Sequence, residues 1–332
     1  MCKINPLVSI ITPSFNQADY LEATIKSVLR QDYPRIEYLV VDGGSSDGSV
    51  DIIRKYASEF TWWVSEPDKG QASAINKGMA RAKGEIVAWL NSDDLYLPGA
   101  ISRAVAEFEA RPELGFVFGD AVTIDADGRP IKELIFPDWQ FEDLIGFRII
   151  CQPAVFIARR YYEQVEGLEH IYHYMLDHHL WIKIASKAPI QHIPELLAAA
   201  RHHQAAKNVA QAADFGRETL EVMEWMGKEP GLADSIKVNQ RKVLGGAYRL
   251  NARYLMDGSQ FGAAISSYGK AFINQPIYTA HHWHRIIYAF FGMLGFRNLA
   301  GLYTRYQDSQ RPDFSAKTSF LDWPGLSLER LD

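Results

Sequence analysis

The first 120 residues alternate between strand-like and helix-like segments, and this alternation constrains the fold more than any other feature. Leu7–Thr12 is a short β-rich apolar run, whereas the apolar side chains of Tyr20–Arg30 recur at helical spacing. The alternation continues with strands predicted at 36–41, 61–64, 85–90 and 114–118, and helices predicted at 50–56, 72–82 and 99–110. Units of this length predict an α/β fold with a mixed, mainly parallel sheet flanked by helices.

Polar clusters follow four of the predicted strands, at the point where each strand ends. The clusters are Thr12–Asn16, Asp42–Gly48, Glu66–Gly70 and Asn91–Asp94. In a parallel sheet, ligands bind beyond the carboxyl ends of the strands. The sequence therefore predicts one polar binding rim along one edge of the sheet.

Charge and composition exclude several classes of protein. The net charge of −5 argues against a protein that coats nucleic acid, although it permits a small phosphate-bearing ligand. Cys2 and Cys151 are too few for a disulfide framework, so a reducing compartment is expected. The longest near-apolar run, Ile286–Phe296, is shorter than the roughly 20 residues of a membrane-spanning helix. We expect a cytoplasmic protein, either free or peripheral on the inner face of the membrane.

The pattern changes twice after the first 120 residues. Shorter pieces follow, including a strand at Ala154–Ile157 and a helix at Asp177–Ser186. After about Ala205 the strand signals nearly vanish, and helices are predicted to about residue 306, before an irregular tail. We therefore predict a domain at 1–204 that carries the chemistry and a C-terminal helical region at 205–332. This appendage is expected to contact an acceptor, a second copy of the chain, or a membrane.

The segment Asn91-Ser92-Asp93-Asp94 follows an apolar strand directly. Carboxylates at a strand end are hard ligands that suit Mg²⁺ or Mn²⁺, and such ions usually bridge to phosphates. An Asx-rich turn that caps the next helix would give the same pattern.

The loop after Asp42 allows two interpretations as well. Its small residues let backbone N–H groups approach a ligand, or they form an ordinary strand-to-helix connection.

Taken together, the four segments closely resemble family 2 glycosyltransferases. The matching pieces are Val8–Asn16, Val40–Gly48, Asp68–Gly70 with Ala74–Gly78, and Leu90–Asp94 with Pro98-Gly99, and the resemblance covers roughly residues 6–207. It implies the GT-A fold, a Rossmann-like mixed sheet. It further implies a nucleotide-diphosphate sugar donor, linked to UDP, GDP or dTDP, and inversion at the anomeric carbon.

The same resemblance implies roles for individual residues at the donor site. Asp42 would read the base, and Asp93 with His203 would hold Mn²⁺ or Mg²⁺ on the diphosphate. Asn91 stands where an aspartate is commoner, so a charge is missing and metal affinity is expected to be weaker. The donor-binding positions are Thr12, Pro13, Phe15, Asn16, Asp42, Gly44, Asp68, Lys69, Asn91 and Ser92.

The acceptor side is defined by a predicted catalytic base. The resemblance assigns that role to Asp177, at the start of a late helix, where Leu176 stands in place of a frequent glutamate. A carboxylate within reach of an acceptor hydroxyl removes its proton as the oxygen attacks. A helix N-cap is the structural alternative for Asp177. The acceptor pocket is expected to include Asp120, Gln152 and Asp94.

Two functions of different classes remain open at this stage. The first is a metal-dependent hexosyl- or N-acetylhexosaminyl-transferase for cell-surface polysaccharide, cell-wall or glycolipid assembly, acting on a glycan or a lipid-linked acceptor. The second is a non-catalytic nucleotide-sugar or glycan-binding module with a degenerate metal site, suggested by Asn91 and Leu176. A sugar-1-phosphate nucleotidyltransferase is disfavoured because Thr12–Asn16 contains no Lys or Arg. The segment around His281–His284 is interpreted either as a packed helix or as a membrane-contacting surface.

Overall fold

The computed structural model describes residues 5–203 and 211–295. Every strand and helix predicted in the first 120 residues is present. Within these residues one sheet contains β1 (Val8–Ser14), β2 (Ile36–Asp42), β3 (Trp62–Ser65), β4 (Ile86–Trp89), β5 (Leu95–Tyr96), β6 (Phe116–Ile124), β7 (Pro130–Leu134), β8 (Val155–Ala158) and β9 (Ile190–Arg201).

Helices flank this sheet and also follow it. The first group is α1 (Ala18–Leu29), α2 (Ser49–Lys55), α3 (Gln71–Met79), α4 (Ala100–Ala110), α5 (Phe141–Ile145), α6 (Arg159–Gln164) and α7 (Leu176–Ala185). The second group is α8 (Ala212–Lys228), α9 (Ala233–Val238), α10 (Gln240–Asp257), α11 (Phe261–Asn274), α12 (Pro276–Ala280) and α13 (Trp283–Met293). In the described part of the chain, no helix is both long and apolar enough to cross a bilayer.

The sheet order is β3-β2-β1-β4-β8-β6-β9-β5, with β7 beside β6. Strands β3, β2, β1 and β4 pair in parallel, so their carboxyl ends share one edge. The other half is mixed, because β8 runs antiparallel to β4 and β6 whereas β9 runs parallel to β6. The predicted α/β architecture, with a mixed sheet flanked by helices, is confirmed.

Strand β9 was not predicted from the sequence. Pro194 interrupts it, and proline inside a run usually argues against a strand because it lacks the N–H of the ladder. A bulge accommodates the proline, since Gly119 of β6 pairs with Ile193 whereas Asp120 pairs with Leu196. Past the bulge, β9 continues to Arg201 and brings His203 to the polar edge of the sheet.

Helices α8 and α10 share a core with the sheet. Val222 of α8 and Leu250 of α10 belong to the same buried cluster as Leu144 and Trp181, which lie in α5 and α7. All four side chains are essentially inaccessible to solvent. The beginning of the C-terminal region is therefore packed directly against the part that carries the candidate site.

Candidate active site

A cavity of about 610 Å³ opens at the shared carboxyl edge of β1, β2 and β4. Ser14, Gly43 and Asn91 line it where these three strands end, and residues of α7, α8 and α10 close its other side. The structure therefore brings together polar residues that are far apart in the sequence. The predicted site residues on its wall are Pro13, Phe15, Asp68, Asn91, Ser92, Asp93, Asp94, Gln152 and Asp177.

Asn16 fixes the loop that follows β2. Its backbone N–H donates to Ser45 Oγ at 2.8 Å, and its Oδ1 accepts from the Ser46 N–H at 2.9 Å. Asn16 adopts a left-handed conformation with φ of 51°, which asparagine tolerates better than most residues. Asn16 therefore supports the site from behind, whereas its neighbour Phe15 stays 61% exposed on the cavity wall.

Thr12 and Asp42 lie inside the sheet instead of on the cavity wall. Strands β1 and β2 continue past the predicted ends, so both side chains are fully buried. The Asp42 carboxylate accepts from the Gly44 and Ser45 N–H groups at 3.0 and 2.9 Å, and Thr12 Oγ1 is 3.0 Å from the Tyr38 hydroxyl. In this structure Asp42 shapes the glycine turn and Thr12 contacts Tyr38 within the sheet, and their contact with the nucleotide stays a prediction.

The glycine turn lies close against the third loop. Gly44 has a φ of +83°, and a Cβ there would come within 3.2 Å of the Pro67 nitrogen. A Cβ on Gly43 would come within 3.1 Å of an Asp68 carboxylate oxygen, so a side chain there would crowd Asp68. Asp68 lies on the cavity wall and accepts from the Gly70 N–H at 2.7 Å. Lys69 is exposed beside Asp68 and lies outside the wall.

Asn91 is the centre of a polar network on the cavity wall. Its Oδ1 accepts from Gln71 Nε2 at 2.7 Å, and its Nδ2 donates to Asp94 Oδ2 and Gln152 Oε1, each at 3.1 Å. Asp94 also accepts from the Arg201 N–H at 2.9 Å. Burial, and then the charge of Asp93, raise the pKa of the Asp94 carboxyl well above its usual range. Asp94 therefore ties β9 to this loop.

Asp93 lies on the cavity wall, and together with the buried side chain of His203 next to it forms a pair that suits a divalent cation. Asp93 Oδ2 and His203 Nε2 are 3.1 Å apart. Two adjacent ligands of an octahedral ion, each about 2.1 Å from it, lie about 3.0 Å apart, so this pair fits one edge of such a site. Within residues 5–203 and 211–295, no group of three or more His, Cys, Asp or Glu side chains could hold a metal. The remaining ligands of an ion bound here would be phosphate oxygens and water.

Asp177 lies in the first turn of α7 and faces the cavity. Met175 occupies the N-cap position of α7, so Asp177 is not the residue that caps this helix. One carboxylate oxygen accepts from the His178 N–H at 2.7 Å. Burial raises the pKa of Asp177 to about 6, despite the lowering effect of that hydrogen bond. A partly exposed carboxylate with this pKa is mostly ionised at neutral pH and can still accept a proton.

Three aromatic rings on the wall beside α7 were missed from the sequence. Phe215 of α8 stacks on Tyr254 of α10 with centroids 5.0 Å apart, and Tyr174 lies 4.9 Å from Phe215. We call these three residues the aromatic wall. Phe215 and Tyr254 fall where a helical core face would be expected, so their spacing alone does not distinguish a cavity wall from a core.

Asp120 lies away from the cavity, and its acceptor role stays a prediction that this position does not support. It is buried in the middle of β6, because this strand continues to Ile124 instead of ending near Phe118. Its carboxylate is 2.8 Å from His192 Nε2 and accepts from the Phe136 N–H at 2.9 Å. Gln152, in contrast, lies on the wall as expected and donates to the Trp89 carbonyl at 2.9 Å.

Comparisons with known proteins agree with this architecture. The family model described as Glycosyl transferase family 2 matches residues 9–166. TuaG of Bacillus subtilis strain 168, whose name assigns it to teichuronic acid biosynthesis, is 34% identical over 171 residues, which is 50% of this chain and 68% of TuaG. Other curated relatives are matched over smaller shares of their length, for example 44% of a Mycobacterium tuberculosis glycosyltransferase.

Two solved structures share the fold at low sequence identity. The mannosyltransferase PcManGT of Pyrobaculum calidifontis, in complex with GDP-Man and Mn²⁺, has a TM-score of 0.61 and 20% identity over 92% of this chain and 83% of its own. Residues 1–349 of Staphylococcus aureus TarS, in complex with UDP-GlcNAc, have a TM-score of 0.58 and 15% identity. This match covers 84% of the present chain and 92% of the TarS chain. From its family match, its similarity to TuaG and this shared fold, the chain is a glycosyltransferase of family 2 with the GT-A fold.

Proposed function

We propose that the chain transfers a hexosyl or N-acetylhexosaminyl group from a nucleotide-diphosphate sugar to an acceptor hydroxyl, with inversion at the anomeric carbon. The observation that carries this proposal is the position of Asp177. Its carboxylate, with a pKa of about 6, faces the same cavity as Asp93, which contacts His203. A proton acceptor and a carboxylate that could bind the diphosphate through a divalent ion, both on one cavity wall, are the two groups that glycosyl transfer by direct displacement requires.

The proposed reaction is a single displacement. The acceptor oxygen attacks the anomeric carbon while Asp177 takes the proton of its hydroxyl, and the bond from that carbon to the diphosphate oxygen breaks. The products are the glycosylated acceptor and a nucleoside diphosphate. Attack from the face opposite the leaving group inverts the configuration. Asp93 and His203 would hold a divalent ion, which when bound supplies Lewis-acid stabilisation of the charge on the diphosphate.

The donor nucleotide is proposed to lie over the first two loops. Phe15 exposes an aromatic face on the cavity wall, where a base can stack, and Asp68 lies across from Gly43. The complexes of TarS with UDP-GlcNAc and of PcManGT with GDP-Man support a nucleotide-sugar donor for this fold. The Mn²⁺ in the PcManGT complex supports the proposed use of a divalent ion.

The acceptor is proposed to lie against the aromatic wall, beside Asp177. Aromatic faces pack well against the apolar faces of pyranose rings, and Tyr174, Phe215 and Tyr254 offer three rings. Two of these come from α8 and α10, so the helical region after residue 204 is proposed to complete the acceptor site. The name of TuaG supports a cell-surface polysaccharide as the acceptor class.

Two measurements test this proposal. In a thermal-shift panel of UDP-, GDP- and dTDP-linked sugars with and without Mn²⁺, the correct donor raises the melting temperature, because it binds the folded chain alone. The Asp177→Asn variant should keep that shift and lose turnover by about a hundredfold or more. Full turnover of this variant would show that Asp177 is not the base.

A non-catalytic binding module is the second candidate, and Asn91 is the observation that favours it. Asn91 brings no charge to the metal site, and the pKa of Asp94 is raised by burial. This candidate predicts a donor-induced thermal shift without release of nucleoside diphosphate. Metal-dependent release of nucleoside diphosphate from the unmodified chain would exclude it.

A further inference from the structure

Helix α13 presents apolar side chains to solvent along one complete face. Trp283, Ile287, Phe290, Phe291 and Leu294 are 58, 47, 47, 37 and 53% exposed. At about 100° per residue, these five positions fall within an arc of about 100°. We call these five side chains the apolar stripe.

The opposite face of α13 fixes this orientation. Ala289 and Gly292 are buried there, and a Cβ on Gly292 would come within 2.8 Å of the Phe261 ring of α11. Tyr288 also contacts Phe261, with ring centroids 5.7 Å apart. The helix therefore packs through its small residues and leaves its largest apolar residues outside. This is the reverse of the usual arrangement in a water-soluble bundle.

The charges of this part of the chain are of one sign. From Gly258 to Gln307 the sequence contains no Asp or Glu, although the whole chain has a net charge of −5. The charged residues in this stretch are Lys270, Arg285, Arg297 and Arg305. Asp257, just before the stretch, is paired with Arg253 at 3.8 Å. A cationic stretch that carries an exposed apolar face is complementary to an anionic surface with an apolar interior.

Further exposed apolar side chains precede α13. Phe272 and Ile273 near the end of α11 are 51 and 72% exposed, and Ile277 of α12 is 78% exposed. Single exposed apolar residues are common on protein surfaces, but a contiguous stripe with more apolar residues near it usually marks an interaction site. Trp283 begins the stripe, and tryptophan is enriched where proteins meet the interface of a bilayer.

We infer that the apolar stripe binds the surface of an anionic lipid bilayer, with α13 lying in the interface. The aromatic and aliphatic side chains enter the boundary between head groups and acyl chains, and the surrounding stretch, which carries Lys270 and no acidic residue, is attracted to anionic head groups. This inference does not depend on the proposed catalytic residues. A chain held in this way would face acceptors that are carried on lipids.

The test uses the full chain and sedimentation with vesicles. Vesicles of phosphatidylcholine mixed with phosphatidylglycerol should bring the protein down, vesicles of phosphatidylcholine alone should do so more weakly, and added salt should reduce the binding. The double variant Ile287→Ser, Phe290→Ser removes two large apolar side chains from the stripe, and we expect its partition into vesicles to be at least about tenfold weaker.

A matched control is available on the same helical region. Val238 is the last residue of α9 and is 85% exposed. Val238→Ser therefore removes an accessible apolar side chain outside the stripe. The control should bind vesicles like the unmodified chain, and both variants should keep its melting temperature because the changed side chains are exposed. Equal vesicle binding by the double variant and the control would overturn the inference.

Other occupants of the stripe give different results. If a second copy of the chain covers it, the unmodified protein sediments as a dimer without lipid and the double variant as a monomer. If residues 296–332 cover it, the double variant melts at a lower temperature and the unmodified chain does not bind vesicles. Either result would overturn the lipid inference, and neither would affect the donor-induced thermal shift that tests the catalytic proposal.

Discussion

The carboxylate of Glu218 accepts a hydrogen bond of 2.9 Å from the backbone N–H of Met175. The same carboxylate accepts from the N–H groups of His173 and Tyr174, and Glu218 is only 3% exposed. One side chain of α8 therefore holds the segment that leads into α7, two residues before Asp177. The position of the proposed base depends on a residue beyond the predicted domain boundary.

Glu218→Gln should destabilise the fold and reduce turnover. The amide keeps the size of the side chain but loses the charge and one acceptor oxygen, so buried N–H groups lose their partner, at a cost of about 1–3 kcal/mol in the free energy of unfolding. Glu224→Gln, on the exposed side of the same helix, is the matched control and should change stability by about 0.5 kcal/mol or less. Urea unfolding measures both, and equal midpoints would contradict the proposed anchoring.

The pH profile of turnover should report Asp177. Its carboxylate must be ionised to accept a proton, so turnover should fall as the pH decreases through about 6. The charge of Glu218 contributes to raising the pKa of Asp177. In Glu218→Gln the acidic limb of the profile should therefore move to lower pH. An acidic limb that stays in place in this variant would contradict the electrostatic coupling.

The same shift predicts that Asp177→Asn is more stable than the unmodified chain at neutral pH. The pKa of Asp177 is about 6 in the folded chain, whereas in the unfolded chain it has its ordinary value of 3.8. Between these values the folded state binds more protons than the unfolded state, so stability is lost as the pH rises through this window. Asparagine does not titrate and avoids this loss. Melting temperatures of both proteins should be measured from pH 4 to 8. The melting temperature of the variant should exceed that of the unmodified chain by an amount that grows as the pH rises from about 4.

Asp93→Asn and His203→Ala should each raise the concentration of Mn²⁺ required for turnover, because each removes one of the two protein groups proposed to bind the ion. A reduction of about 10- to 100-fold in metal affinity is expected. His202→Ala is the control, since His202 is exposed next to His203. Turnover that survives a chelator in the unmodified chain would contradict metal dependence altogether.

Phe15→Ala should weaken binding of the nucleotide. Stacking of a base on an aromatic ring contributes about 1–3 kcal/mol, and Phe15 is 61% exposed on the cavity wall. The dissociation constant of the nucleoside diphosphate, measured by calorimetry, should rise while the melting temperature without ligand stays constant. Ile135→Ala removes a similarly exposed apolar side chain outside the cavity wall and should leave the dissociation constant unchanged.

The sequence predicted the fold best where a strand, the loop after it and the next helix follow one another directly along the chain. The polar residues after β1, β2 and β4 could be assigned to one edge because parallel strands end together. The ends of strands were less predictable, which is why Thr12, Asp42 and Asp120 were expected in the cavity and lie within the sheet. Strand β9 was missed because Pro194 needs a bulge that only pairing with β6 reveals. The contribution of Phe215 and Tyr254 depends on long-range packing, for which helical periodicity gives no signal.

Phe215→Leu should affect the acceptor and spare the donor. Leucine keeps an apolar side chain in the contact between α8 and α10 but removes the ring between Tyr174 and Tyr254. Loss of one aromatic contact of about 0.5–1.5 kcal/mol should raise the acceptor KM by roughly 3- to 10-fold. Hydrolysis of the donor by water needs no acceptor sugar, so its rate and the donor-induced thermal shift should stay the same. If hydrolysis and transfer fall together, the aromatic wall supports the position of α7 and does not bind the acceptor.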